Sequence, residues 1–370
     1  MQTLEVLKTL ITYPTITPKE CGIYEFIKAF LPDFEVLELN KNNVKNLFLY
    51  KQFQGEGERR DLCFGGHIDV VPPGDGWEAF VPVVRGEYLY GRGAQDMKGG
   101  VAAFLCAIKE FCESKTHSFN GILSILLTSD EEGEAIYGSK HTLQSLKEKN
   151  LLPHFAIVAE PTSVNTFGDM IKIGRRGSIN GVLKIQGKQG HVAYPNKCIN
   201  PVEIIAPILS KIAGYNLDSG NDSFEPSKIV ITDIRGGLEV VNVTPDDLRI
   251  MFNVRNSTQT SLEDLKQYLQ DLLKHIPHTL ELKQSSKPFL TNPNNSLVAK
   301  VVQSLQTTLQ ITPTLSTSGG TSDARYFAEY GVDVVECGVC NDRIHAINER
   351  VKISEVENLK NVFVSLLKEF

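Results

Sequence analysis

Seven residues able to do chemistry fall at comparable places in the chain: His67, Asp69, Asp96, Glu131, Glu132, Glu160 and His345. They are two imidazoles and five carboxylates, with no thiolate among them. Mixed nitrogen and oxygen donors suit Zn²⁺ or a neighbouring first-row divalent ion. Five such groups are enough for two ions about 3.5–4 Å apart that share one carboxylate. Each residue also has a plainer reading. A lone histidine after a strand is usually a hydrogen-bonded surface or core residue, and a Glu-Glu pair in a loop is usually solvated. Taken together the set is harder to dismiss, because carboxylates gathered at successive strand ends repel one another unless a cation intervenes. On spacing alone the two readings stand level.

The elements that would position these groups are legible as short apolar runs ending in polar clusters. Leu62–Gly65 leads into Gly66-His67-Ile68-Asp69, and Ile122–Leu127 into Ser129-Asp130-Glu131-Glu132. Phe155–Val158 leads into Glu160-Pro161, and Val332–Val335 towards His345, while Asp96 closes the Gly-rich loop Gly91-Arg92-Gly93-Ala94-Gln95-Asp96. Helical patterns cover 3–12, 20–31, Gly99–Cys112, 140–149 and 353–369. Nearly all-apolar strands alternating with helices predict an α/β fold with a mainly parallel sheet covered on both faces. Ligands of such sheets bind beyond the carboxyl ends of the strands, where the seven residues lie.

Residues 177–289 have another rhythm. Strand patterns at Ser178–Gln186, Lys228–Ile234, Leu248–Val254 and Leu280–Lys283 alternate with helical ones at Pro201–Ala213 and 261–275. That β-α-β-β-α-β order is the split βαβ of a ferredoxin-like α+β unit. The expected organisation is an α/β domain, 1–176 and 290–370, interrupted by an inserted domain, 177–289.

Composition narrows the functional classes. With 38 basic against 44 acidic residues, the net charge is −6, which leaves no electrostatic footprint for nucleic acid. The longest apolar runs, such as Val101–Ile108, fall far short of the roughly 20 residues that span a bilayer. No basic start with an apolar run marks a signal peptide, so the mature chain is expected to begin near Met1. Seven scattered cysteines, an odd number, suit a reducing compartment, and a cytoplasmic location is expected.

Longer motifs sharpen the picture. Gly66-His67-Ile68-Asp69-Val70-Val71-Pro72, Tyr90-Gly91-Arg92-Gly93-Ala94-Gln95-Asp96-Met97-Lys98-Gly99-Gly100, Thr128-Ser129-Asp130-Glu131-Glu132-Gly133, Glu160-Pro161-Thr162 and His345 occur in that order. Together they resemble the M20 family of dinuclear zinc aminoacylases and peptidases along nearly the whole chain. Gly174-Arg175-Arg176-Gly177-Ser178, Gln189-Gly190-His191-Val192-Ala193-Tyr194-Pro195 and Ser318-Gly319-Gly320-Thr321-Ser322-Asp323-Ala324-Arg325 narrow the resemblance to members that cleave a succinyl amide. Those members prefer Thr where Ile68 stands, but that side chain is not a ligand.

The resemblance implies a zinc-peptidase-like catalytic domain with an inserted dimerisation or lid domain, two Zn²⁺ per subunit with Co²⁺ possible in one site, and a homodimer. It makes His67 and Glu160 ligands of one ion, Glu132 and His345 ligands of the other, and Asp96 the bridge, followed by a cis Asp96–Met97 peptide. Asp69 would accept a proton from His67 and fix its tautomer. Glu131 would be the general base, and His191 would reach the oxyanion of a neighbouring subunit's site, with Asn242 also placed for such reach. Arg175 and Arg255 would bind substrate carboxylates, with Tyr194, Asn242, Gly320, Thr321 and Asn341 as further substrate contacts. Rival readings are another metallo-deacylase or dipeptidase of the family, or a non-catalytic binding protein on the same scaffold.

Other features attract no role. Cys337-Gly338-Val339-Cys340 has no second pair to complete a zinc site, and the Gly-rich loops match no full phosphate-binding fingerprint. His117, His141, His154, His275 and His278 fall in helices or connections of the surface.

Overall fold

In the computed structural model, which describes residues 2–114 and 118–370, the apolar runs become adjacent strands of one sheet. Gly121–Thr128, Leu62–His67, Phe155–Val158 and Asp333–Glu336 lie side by side in that order and run parallel. Every residue of the first two is buried, as expected where helices cover both faces of a sheet. On one face the Phe64 ring meets Phe104 of helix Lys98–Glu113 at 5.7 Å and Phe363 of helix Ile353–Lys368 at 5.2 Å. On the other, Phe327 of helix Ala324–Glu329 lies directly over Gly65.

The sheet has eight strands. Asn46–Phe53 and then Glu35–Glu38 extend it antiparallel on one side, and Met170–Lys172 and Thr314–Ser316 extend it on the other. It is mixed but largely parallel. The register sets His67 opposite Thr128, Gly65 opposite Val158 and Val158 opposite Glu336. The segments carrying His67, Glu131, Glu132, Glu160 and His345 therefore all leave the sheet at the same edge.

The chain divides into two units: Met1–Gly174 with Thr291–Ser316 and Ser322–Phe370, and Arg175–Leu290 with Thr317–Thr321. Against the expected bounds of 1–176 and 290–370 for the larger unit, Arg175, Arg176, Leu290 and Thr317–Thr321 group with the smaller one. Hydrogen bonds account for the difference. The Arg175 guanidinium donates to the Ser318 carbonyl at 3.0 Å, and the Thr317 hydroxyl donates to the Ser223 carbonyl. The chain leaves the larger unit after Gly174 and returns at Thr291, whose amide donates to the Ile173 carbonyl at 2.7 Å.

The smaller unit has its own core, with Ile179, Leu183, Ile250, Phe252, Leu265 and Leu269 among its members. Its sheet runs Lys228–Gly236, Asp247–Arg255, Ser178–Gln186, His278–Ser286, antiparallel throughout. Helix Leu262–Leu272 starts in a capping box between Ser261 and Asp264. The expected single helix over Pro201–Ala213 is instead Pro201–Ile205 followed by a 3₁₀ stretch, Ala206–Lys211. Pro207 supplies the reason, since it has no N–H to continue the α-helical ladder.

Candidate metal centre

His67 ends its strand 1% exposed, with Nδ1 2.9 Å from the Asp69 carbonyl oxygen. A carbonyl only accepts, so Nδ1 carries a proton and Nε2 is the ring atom turned towards the carboxylates. That Nε2 lies 3.2 Å from Asp96 Oδ1 and 3.6 Å from Glu160 Oε1. His345 Nε2 lies 2.9 Å from Glu132 Oε1 and 3.3 Å from Asp96 Oδ2. Asp96 thus turns one oxygen to each imidazole. Two donor trios result, His67–Asp96–Glu160 and Asp96–Glu132–His345, each with its ligand atoms within 4.8 Å of one another. A tetrahedral ion with bonds of ~2.0–2.1 Å separates its ligand atoms by about 3.3–3.4 Å. The donor set fits two divalent ions sharing Asp96.

The electrostatics lead to the same requirement. Burial lifts the carboxyl groups of Glu131 and Glu160 well above their ordinary range, and the charges of neighbouring carboxylates lift them further. Burial also raises Asp69 to about 6. Asp96 is held low despite burial, by hydrogen bonds with His345 and His67, and His345 is raised to about 10 by Asp96 and Glu132. Five carboxylates against two imidazoles leave a buried negative excess that a cation would offset.

Local structure explains why these groups stay in place. A Cβ at Gly100 would strike the Ala159 carbonyl oxygen, and one at Gly338 the Glu160 carbonyl oxygen. Both positions need glycine because the backbone beside Glu160 is gripped from two directions. The Asp96–Met97 peptide is cis. Asp69 differs from expectation in one respect. The group that orients His67 is its backbone carbonyl, whereas its carboxylate Oδ1 stands 3.7 Å from the ring. That carboxylate instead accepts the backbone amides of Glu131 at 3.3 Å and Glu132 at 3.1 Å, which holds the loop carrying both. Glu131 itself falls in a further trio with His67 and Glu132, close enough to act on a proton or to serve as a donor.

Sequence reasoning passed over Glu349, which is 1% exposed and accepts the amides of Gly93, Gln95 and Asp96. The available signal was an acidic residue four positions after His345, followed by a short strand, Arg350–Lys352.

In the smaller unit, His191 sits on strand Gly190–His191 opposite Val243, and the next amide, Val192, donates to the Asn242 carbonyl at 3.2 Å. The Ala193 amide donates to His191 Nδ1 at 3.1 Å, so a neutral ring keeps its proton on Nε2. The rings of His191 and Tyr194 are 5.9 Å apart. Arg255 is exposed at the end of its strand, opposite Lys228. Arg175 is 8% exposed, and a Cβ at Gly319, where φ is +103°, would meet its Nη1 at 2.5 Å. Only glycine allows the Ser318–Gly320 turn to wrap that guanidinium. Gly320 is exposed and Thr321 half-buried beside the same turn. Arg176 pairs instead with Glu225 at 3.3 Å. In the larger unit, Asn341 is half-buried and its amide donates to the Ser163 carbonyl at 3.1 Å.

Among the remaining histidines, His154 Nδ1 accepts the Asp61 amide and His278 Nδ1 faces the Ile276 carbonyl, while His117 lies outside the described residues. Cys337 and Cys340 are buried free thiols, Cys337 pushed up to about 12 by burial.

The pattern of Peptidase family M20/M25/M40 matches residues 63–369. The chain belongs to that family. It is 59% identical over 366 residues, 98% of each chain, to a protein of Wolinella succinogenes named succinyl-diaminopimelate desuccinylase. Relatives of the same name from Nitratiruptor, Helicobacter pylori and Nautilia profundicola are 52–54% identical over essentially their full length. Among solved structures, an aminopeptidase of Bacillus cereus matches with a TM-score of 0.80 at 20% identity, covering 99% of this chain and 97% of the other. A dinuclear metal-binding M20 peptidase of Bacillus subtilis matches with a TM-score of 0.69 at 13% identity, covering 99% and 97%. At those identities the structures share the fold alone.

Proposed function

We propose that this M20 hydrolase removes succinate from N-succinyl-LL-2,6-diaminopimelate, releasing LL-2,6-diaminopimelate for lysine and meso-diaminopimelate biosynthesis. The observation that carries the reading is identity of 52–59% across the whole chain to relatives bearing that activity in their names. The substrate class fits the chain's own chemistry, since buried Arg175 and exposed Arg255 offer planar forks for carboxylates.

His67 and Glu160 would hold one ion, Glu132 and His345 the other, with Asp96 between them. Zn²⁺ in both positions, or Co²⁺ in one, would supply Lewis acidity towards the amide carbonyl and lower the pKa of water. Glu131 takes the proton of the attacking water and returns it to the departing amine nitrogen. Asp69 keeps Glu131 in place through the two amides of its loop. His191, with its proton on Nε2, donates to the developing oxyanion.

We infer a homodimer in which His191 of the partner subunit, together with Asn242, completes each site. The smaller unit supports this, because edge strand Lys228–Gly236 carries exposed Val230 and Ile234, and Val192 and Val202 are also exposed. A cytoplasmic location accords with seven unpaired cysteines, and no helix among the described residues is long and apolar enough to cross a membrane.

The test offers metal-reconstituted protein the succinylated diamino acid, an acetylated amino acid and a dipeptide side by side. Preference for the succinyl amide is expected; faster turnover of either of the others would assign it to another branch of the family. Glu131→Gln should lower kcat by at least ~10² with both ions retained, by the usual size of general-base effects. Loss of an ion instead would make Glu131 a ligand, and undiminished turnover would remove it from the mechanism.

A further inference from the structure

We propose that the buried Arg92–Glu349 pair is a positioning unit for one of the two ion positions, the one formed by Asp96, Glu132 and His345. The inference rests on the two-metal reading above and assigns an unequal dependence of the two ions on residues that touch neither.

Both members of the pair are nearly inaccessible, Arg92 at 2% and Glu349 at 1%. Every contact of the Glu349 carboxylate bears on the loop that delivers Asp96. Oε1 accepts the amides of Gln95 at 2.8 Å and Asp96 at 3.0 Å, and Oε2 accepts the Gly93 amide at 2.9 Å and Arg92 Nη1 at 2.8 Å. Arg92 then reaches the other loop. Nη1 donates to the Ala346 carbonyl at 3.2 Å, and Nη2 donates to Pro73 at 3.2 Å and to His345 and Pro72 at 3.4 Å. One ion pair therefore fixes the backbone at Asp96 and at His345, ligands 249 positions apart (345 − 96).

The two ion positions differ in what else supports them. His67 ends a fully buried strand and Glu160 follows another two residues on, with its backbone gripped at Gly100 and Gly338. His345 lies in a loop, its side chain 50% exposed and its φ at +59°, a conformation that an L residue rarely keeps without outside support. Its carbonyl and the next are the ones Arg92 holds. A buried ion pair contributes little net stability compared with apolar packing of the same volume, so its place here is better explained by what it orients.

The experiment titrates metal-free protein with Zn²⁺ and with Co²⁺, following calorimetric stoichiometry and the visible spectrum of Co²⁺. Wild-type protein is compared with Glu349→Gln, whose amide nitrogen must face donors, and with Arg92→Lys, which keeps the charge but loses the fork. The ion at Asp96, Glu132 and His345 should bind about 10–100-fold more weakly, the usual cost of removing the support behind a ligand, and the ion at His67 and Glu160, which depends on this loop through Asp96 alone, should weaken much less. Excess metal should restore much of kcat with KM little changed. Equal weakening of both ions, or of neither, would overturn the proposal. So would failure of both variants to fold, since the pair would then support the whole unit rather than one ion. A wild-type protein that takes up fewer than two ions would instead refute the underlying metal reading, independently of either variant.

Discussion

Replacing Asp69 by asparagine isolates the work of one carboxylate. Asp69 is fully buried, and its two oxygens accept the amides of Glu131 at 3.3 Å and Glu132 at 3.1 Å. Asparagine keeps one acceptor and turns a donor towards the other amide. One hydrogen bond to a charged group is lost, which costs about 1.5–3 kcal/mol. For a folding unit of this size, ~2–4 °C accompany each kcal/mol, so Tm should fall by roughly 3–12 °C. The His67 ring should stay oriented, because its Nδ1 partner is the Asp69 backbone carbonyl. The loss should therefore fall on the Glu131–Glu132 side, with kcat reduced about 10–100-fold. The assay combines calorimetric melting of metal-loaded protein with metal analysis and single-substrate kinetics. An unchanged Tm with unchanged kcat would refute the reasoning, and so would selective loss of the ion proposed at His67 and Glu160.

Arg175→Ala and Arg255→Ala should each lose about 1.5–3 kcal/mol in kcat/KM towards the succinylated substrate relative to a neutral acyl analogue. Equal losses on both substrates would count against carboxylate recognition. His191→Ala should lower kcat by roughly two to three decades with metals and fold intact. Mixing it with inactive Glu131→Ala under subunit exchange should restore activity, and exchange without activity would rule out a shared site. Asp218 supplies a pH prediction for the smaller unit. Against the opposing effect of burial, hydrogen bonds from Ser227, Thr260 and Gly220 hold its carboxyl at about 2, below its ordinary 3.8. A depressed folded value stabilises above the unfolded value and is lost as pH falls through the folded one. About 1–2 kcal/mol should therefore disappear between about pH 4 and pH 2, and Asp218→Asn should abolish that slope in acid melts.

The legible parts of the chain were those with a local signature. Leu62–Gly65 and Ile122–Leu127 read as buried strands because nearly every side chain is apolar, and they fall within the observed Leu62–His67 and Gly121–Thr128, with the polar residues after them at the edge where the donor trios gather. Asn46–Phe53 was passed over because Lys51 and Gln52 interrupt it, although its antiparallel pairing with Gly121–Thr128 fixes it in the sheet. Helix Ser296–Leu309 was hidden by a polar composition outside its buried stripe of Leu297, Val298, Val301 and Leu305. In the site, side chains aimed at a common point could be anticipated from motifs. The groups that hold them could not, since Glu349 and the Asp69 carboxylate act on backbone amides, which carry no sequence identity.

The hydrogen bond from the Thr291 amide to the Ile173 carbonyl bears on how the chain reaches this structure. It joins residues 118 positions apart (291 − 173), and strand Asp333–Glu336, which pairs with Phe155–Val158, lies beyond that junction. Closing a flexible loop of that order costs about 4 kcal/mol of chain entropy. A smaller unit with its own core can collapse first and shorten the effective loop before the large sheet closes. His345 lies beyond strand Asp333–Glu336 in the chain, so the Asp96–Glu132–His345 trio can assemble only once the chain on both sides of the smaller unit has been made.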